Sequence, residues 1–207
     1  MWDVLLSAFV TLFIVIDPIG VAWLFVALTR DVDNTIQRRM AARAVLLSGV
    51  MLLVFYFSGD ILLKWMGITL PAFKIAGGIL LILLAIDMVF ARQSGLRSTT
   101  AGETHEAEHK KDISVFPLAF PMIAGPGALT TVLLMSGNAA NSALLWYLVV
   151  ILFAVLFITL LCLLYAPRLS RLLGETGANV ISRLLGLILA ALAVQFVIDG
   201  IKQSFHQ

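Results

Sequence analysis

From Ile113 to Pro167 the chain runs for 55 residues without one charged side chain. A helix needs roughly 20 apolar residues to cross the hydrocarbon core of a bilayer, so this stretch holds two crossings, joined by the small polar turn Ser136 to Ser142. Other apolar segments run from Val4 to Thr29, Ala44 to Leu63, Pro71 to Ala91 and Leu184 to Ile201. That makes six spans. The composition agrees: 61% of the 207 residues are hydrophobic and 13% charged, with mean hydropathy +1.03, where a soluble domain carries about 25% charged residues. Helices apolar all round at this length do not suit a soluble globule. The N-terminal run lacks a basic flank and a small-residue cleavage site, so it reads as a retained span and not a signal peptide.

Net charge is +2, too small to suggest nucleic acid as a partner, but the placement of the cations bears on topology. Arg30, Arg38, Arg39 and Arg43 follow span 1; Arg92, Arg97, Lys110 and Lys111 follow span 3; Arg168, Arg171 and Arg183 follow span 5. The opposite faces hold Lys64, Lys74 and Lys202. This asymmetry puts the three basic loops in the cytoplasm and both termini outside. The single cysteine, Cys162, lies within a span and excludes an internal disulfide.

Two proline-glycine interruptions stand inside apolar segments: Asp17-Pro18-Ile19-Gly20 and Gly125-Pro126-Gly127, with Pro18 and Pro126 separated by 108 residues. Other landmarks recur at nearly that shift. Lys74-x-x-Gly77 matches Arg183-x-x-Gly186, and Gly67-Ile68-Thr69 matches Gly174-Glu175-Thr176. A three-span unit repeated once inserts with opposite polarity, because an odd number of crossings starts the second copy on the other side. The expected organisation is one all-α transmembrane domain over 1–207, with inverted repeats at 1–91 and 113–207 and a cytoplasmic polar loop at 92–112.

Hydrocarbon offers no hydrogen-bond partners, so a broken helix survives only where its bare N–H and C=O groups are buried in protein or line a polar cavity. Paired breaks are the best sequence pointer to a transporter's binding site. An unpaired carboxylate at the depth of Asp17 costs about 2.5 to 3.5 kcal/mol on insertion scales. Two roles offset that: capping the half-helix that Pro18 starts, or taking up a proton or coupling cation. In span 4, Pro117 and Pro121 precede the break, and Thr130 and Thr131 follow on the resumed helix. Helix N-termini carry positive partial charge and suit a carboxylate. A kink used only for packing is the alternative. Gln195 in span 6 fits a cross-helix or a ligand hydrogen bond, Asp87 and Asp199 lie near span ends and are expected to be solvated, and Gly77, Gly78 and Gly186 suit close helix packing.

His105-Glu106-Ala107-Glu108-His109 satisfies the H-E-x-x-H pattern of zinc enzymes. It lies among Gly, Ser and Thr in the polar loop, with no apolar face to bury a metal, and reads as a solvated linker. No enzyme activity, resident metal or cofactor is expected.

Asp17-Pro18-Ile19-Gly20, the run from Pro117 to Gly127 (PLAFPMIAGPG), and Arg183 to Ile188 with Asp199-Gly200-Ile201 resemble the MarC family of six-span bacterial and archaeal membrane proteins. The likeness covers nearly the whole chain. One departure is that the family's first break often continues with Asn and then Pro after the glycine, where Val21, Ala22 and Trp23 stand here. The resemblance implies discontinuous first and fourth spans and, by an archaeal branch, cation-coupled transport of small neutral amino acids such as glycine and alanine. The reading is therefore a plasma-membrane secondary transporter (the inner membrane in a bacterium). Asp17, Pro18, Gly20, Gly125, Pro126, Gly127, Thr130, Thr131 and Gln195 are its candidate substrate-binding residues, with N–H groups around Gly20 and Gly127 on the substrate carboxylate. Asp17 is the coupling candidate for H+ or Na+. The partners are a small-molecule substrate and the lipid bilayer. The alternatives are an exporter of amino acids or other small metabolites, or a membrane protein that transports nothing. Small residues serve internal packing and subunit contacts alike, which leaves a homo-oligomer open.

Overall fold

The computed structural model describes residues 2–29, 32–90, 112–137, 139 and 141–205. Among them there is helix and no strand. Span 1 is two helices, α1 (Trp2–Ile16) and α2 (Pro18–Leu28), with Asp17 between them. Next come α3 (Asn34–Trp65) and α4 (Leu70–Phe90). Span 4 consists of a proline segment (Ser114–Ile123) and α5 (Pro126–Gly137), bent by 56° at the break. Then follow α6 (Ser142–Leu164) and α7 (Ala166–Ser204). The chain is thus an all-α, six-span membrane protein once the bent pair is taken as one crossing. The H-E-x-x-H run lies outside the described residues.

Local chemistry sets the ends of these elements. Asn141 caps α6 by accepting the Leu144 N–H at 2.8 Å. Gly67 (φ 69°) turns the chain between α3 and α4, and Gly174 (φ 63°) divides α7 into a short arm and the span Thr176–Ser204. These two glycines belong to the landmark pair at a shift of 107, and both need the left-handed backbone that glycine adopts without penalty. α3 begins ten residues before the apolar segment expected for it. Its 32 residues reach about 48 Å, beyond a hydrocarbon core of about 30 Å, so Arg38, Arg39 and Arg43 are helical and not in a loop. Arginine is a good helix former with a long stem, so a span can extend through it into the interface.

The two broken spans pack against each other in opposite chain directions. α1 and α2 pack against α6, as the proline segment and α5 pack against α3; α2 packs on α7, as α5 packs on α4. α1 meets α5 and α2 meets the proline segment. The most extensive contact joins α4 and α7, which run antiparallel over small residues. A side chain at Gly78 would meet Val197 Cγ2 at 2.7 Å, one at Gly186 would meet Met88 Cβ at 2.8 Å, and one at Gly200 would meet Ile75 Cγ1 at 2.7 Å. In lipid, where no hydrophobic force drives helix to helix, such close approach is what holds the bundle. The outward surface is apolar, as on α3, where Leu46, Val50, Val54, Phe57 and Ile61 are each more than half exposed at one-turn spacing.

Candidate functional site

Asp17 ends one helix and starts the next. Its N–H donates to the Phe13 carbonyl (2.9 Å), closing α1, and its carbonyl accepts from Val21 N–H (3.0 Å), opening α2. To serve both helices it adopts the left-handed conformation (φ 50°, ψ 66°), which L residues other than Asp and Asn rarely visit. The side chain is 2% exposed; Oδ1 accepts the Gly20 N–H at 3.1 Å, and Oδ2 lies 3.5 Å from Ser182 Oγ on α7. Pro18 occupies the first helical turn, where no N–H is needed. A Cβ at Gly20 would stand 2.2 Å from Oδ2, so the cap requires glycine there. This break carries its own carboxylate on its own N–H group.

The second break is built without a charge. The proline segment has extended backbone at Phe116 and Phe120 and cis peptides before Pro117 and Pro121. Its wide turns close through Leu118 N–H to Ile113 O (3.2 Å) and Ala124 N–H to Ala119 O (2.9 Å). Ser48 of α3 also donates to the Ala119 carbonyl at 3.3 Å. A Cβ at Gly125 would lie 2.2 Å from the Pro121 carbonyl oxygen, and one at Gly127 would lie 2.9 Å from Leu81, 3.2 Å from Leu84 and 3.4 Å from Val15. The first-turn N–H groups of a helix have no intrahelical acceptor, and no side chain caps those of α5 among the described residues. A small pocket opens there, between Val15 of α1, Leu80 and Leu84 of α4, and the backbone from Gly125 to Ala128. Its free volume is about 10 Å³, the space of about one water, so an amino acid requires the surrounding helices to part.

The breaks therefore bring Val15, Gly125, Pro126 and Gly127 together, with Asp17, Pro18 and Gly20 forming a separate closed unit. The start of α5 abuts the end of α1, where Gly127 lies against Val15. Thr131 turns its hydroxyl back onto the Gly127 carbonyl (2.8 Å), and Thr130 sets its methyl against Gly77. Gln195 does not join them: it is exposed on α7 and donates to Asp199 at 2.8 Å. Asp199 is thus held by its own helix. Sequence reading missed Ser48, whose only signal was a small hydroxyl within an apolar span, and Ser182, which stands just ahead of the last apolar segment beside Arg183. Nearer the described edge of the polar loop, Asp112 pairs with Arg43. Ser114, whose N–H donates to Asp112 Oδ1 at 3.0 Å, and then the Arg43 charge hold its carboxyl below the usual range. Among the described residues no cluster of His, Cys, Asp and Glu could hold a metal.

The model of the MarC family integral membrane proteins matches residues 2–205. The UPF0056 membrane protein of Aquifex aeolicus is 37% identical over 205 residues, covering 95% of this chain and 91% of that protein. YvbG of Bacillus subtilis, a UPF0056 membrane protein, is 37% identical over 207 residues, with 99% and 97% covered. The UPF0056 inner membrane protein YhgN of Escherichia coli K12 is 35% identical over 199 residues, with 96% of each covered. No solved structure matches the chain. With the broken first and fourth spans in place and the match running from end to end, the chain belongs to the MarC family of integral membrane proteins.

Proposed function

We propose that this protein is a secondary transporter of small neutral amino acids of the glycine and alanine type, driven by a proton or sodium gradient, and not an enzyme. The observation that carries the reading is the second break, where the first turn of α5, capped by no side chain among the described residues, borders a pocket within the bundle at Gly127 and Ala128. A helix N-terminus in a low-dielectric setting suits a carboxylate. The narrow, apolar lining from Val15, Leu80 and Leu84 favours a small side chain. Because Asp17 already occupies the Gly20 N–H, the substrate carboxylate rests on α5 alone, and Asp17 is the group that exchanges with the coupling ion. The packing pattern of the broken spans and the matching left-handed glycines support an inverted repeat, with two halves that rock about the site. The surplus of cations after spans 1, 3 and 5 supports an orientation with both termini outside the cytoplasm. The word "inner" in the name of the Escherichia coli relative supports the inner membrane as the location.

The test is uptake and counterflow of labelled glycine and alanine in proteoliposomes, with proton and sodium gradients imposed separately. Accumulation under one gradient and exchange without any is expected. Neither, under either gradient, overturns the reading.

A further inference from the structure

Lys74 is a charge that the loops do not account for. By sequence it belongs with the cations at a span end, but α4 begins at Leu70, and Lys74 stands inside that helix with 7% of its surface exposed. Among the described residues it has neither a hydrogen bond nor an ion pair. The charges on neighbouring elements are otherwise engaged: Asp60 and Lys64 of α3 pair with each other at 2.6 Å, and Asp199 of α7 accepts from Gln195. α5, which faces it, carries no charged residue. The positive end of a helix gives a cation no local stabilisation. The stem of Lys74 is covered by the bundle while its ammonium, held by no hydrogen bond, is not sealed off, and a charge left open to a ligand inside a membrane-spanning segment is a functional-site candidate by default.

Its place on α4 says for what. Lys74, Gly77, Leu81 and Leu84 recur at spacings of three and four and form one buried face. That face runs antiparallel to α5: Leu70 lies by Gly137, Gly77 by Thr130, and Leu81 by Gly127. Lys74 therefore stands about 10 Å along the helix axis from the level of Gly127, between the α3–α4 turn and the pocket at the second break.

We propose that Lys74 is an anion-binding position on the route to that pocket, where its ammonium pairs with the carboxylate of an incoming substrate before the α5 N-terminus receives it. Carrying a carboxylate, and not anions at large, rests on the transport reading above. The experiment separates the two. In detergent, the melting temperature is followed in sodium acetate against sodium chloride of equal ionic strength, for wild type, Lys74→Met and Lys74→Arg. Acetate raises the melting temperature of wild type and Lys74→Arg beyond the chloride control and leaves Lys74→Met unmoved, since a ligand stabilises only a state that binds it. In proteoliposomes, Lys74→Met raises the KM for alanine at least about tenfold with little change in maximal rate, and Lys74→Arg recovers most of it. An acetate response that survives in Lys74→Met, or is lacking in wild type, overturns the anion position, and so does an unchanged KM in Lys74→Met. Acetate stabilisation without any amino-acid uptake leaves the anion position standing and removes the transport reading.

Discussion

The two breaks solve one problem in opposite ways. Each interrupts a span where hydrocarbon cannot satisfy the exposed backbone, and each restarts the helix with proline at its first turn. At the first break the new helix is closed by Asp17, whose carboxylate fills the space next to Gly20 so completely that a methyl group there would collide with it at 2.2 Å. At the second, no side chain among the described residues caps the restart, and the space beside it is bounded by Val15, Leu80 and Leu84. An internal anion occupies one half-helix start, and the other faces a pocket. The difference teaches that a matched sequence pattern does not imply a matched site: at one break the chain's own carboxylate fills the start of the helix, and at the other that start borders a pocket.

The largest effect is expected at Gly127. In Gly127→Leu the added carbons enter the 2.9 Å approach to Leu81 and fill the pocket, so alanine binding falls below detection. The melting temperature drops by the equivalent of about 1–3 kcal/mol of overpacking. Equal binding in this variant and wild type would put the site elsewhere.

Asp17 gives the next effect, split between two substitutions. Asp17→Asn keeps an acceptor for Gly20 N–H and tolerates φ 50°, so stability changes by less than about 0.5 kcal/mol while gradient-driven accumulation is lost. Asp17→Ala also loses the cap and is less stable by about 1 kcal/mol, read by denaturation in detergent. Full accumulation by Asp17→Asn leaves the residue with capping alone.

Much of this was legible in the sequence, for identifiable reasons. Span number follows from length and hydropathy, and the cap at Asp17 follows from Asp-Pro, which has few other uses inside an apolar segment. That the start of α5 packs on the end of α1 was not legible, because it is a tertiary arrangement with no local signature. Helices apolar all round offer no sequence-visible face, so Gln195 looked as apt for the interior as for the exterior. Lys74 read as a cation at the mouth of span 3, where a lysine is expected to reach the interface along its stem. Its burial appears only once the helices are packed.

Smaller effects bear on the periphery. Asp112, held below the usual carboxylate range by Ser114 and Arg43, contributes stability above the ordinary carboxylate range and loses it as pH falls through its own lowered value. Arg43→Ala therefore shows a slight destabilisation at neutral pH that vanishes in acid, seen by melting at several pH values. Gln195→Leu, changed on the exposed side of α7, leaves alanine affinity within about twofold in the same binding assay; a larger loss would mean that span 6 contributes to the site.

The most direct test of the asymmetry is equilibrium binding of labelled alanine to purified wild-type, Gly127→Leu and Asp17→Asn proteins, with no gradient present. The account predicts that Asp17→Asn binds within about threefold of wild type and that Gly127→Leu does not bind. Loss of binding in Asp17→Asn with retention in Gly127→Leu would contradict it, and would move the site to the first break.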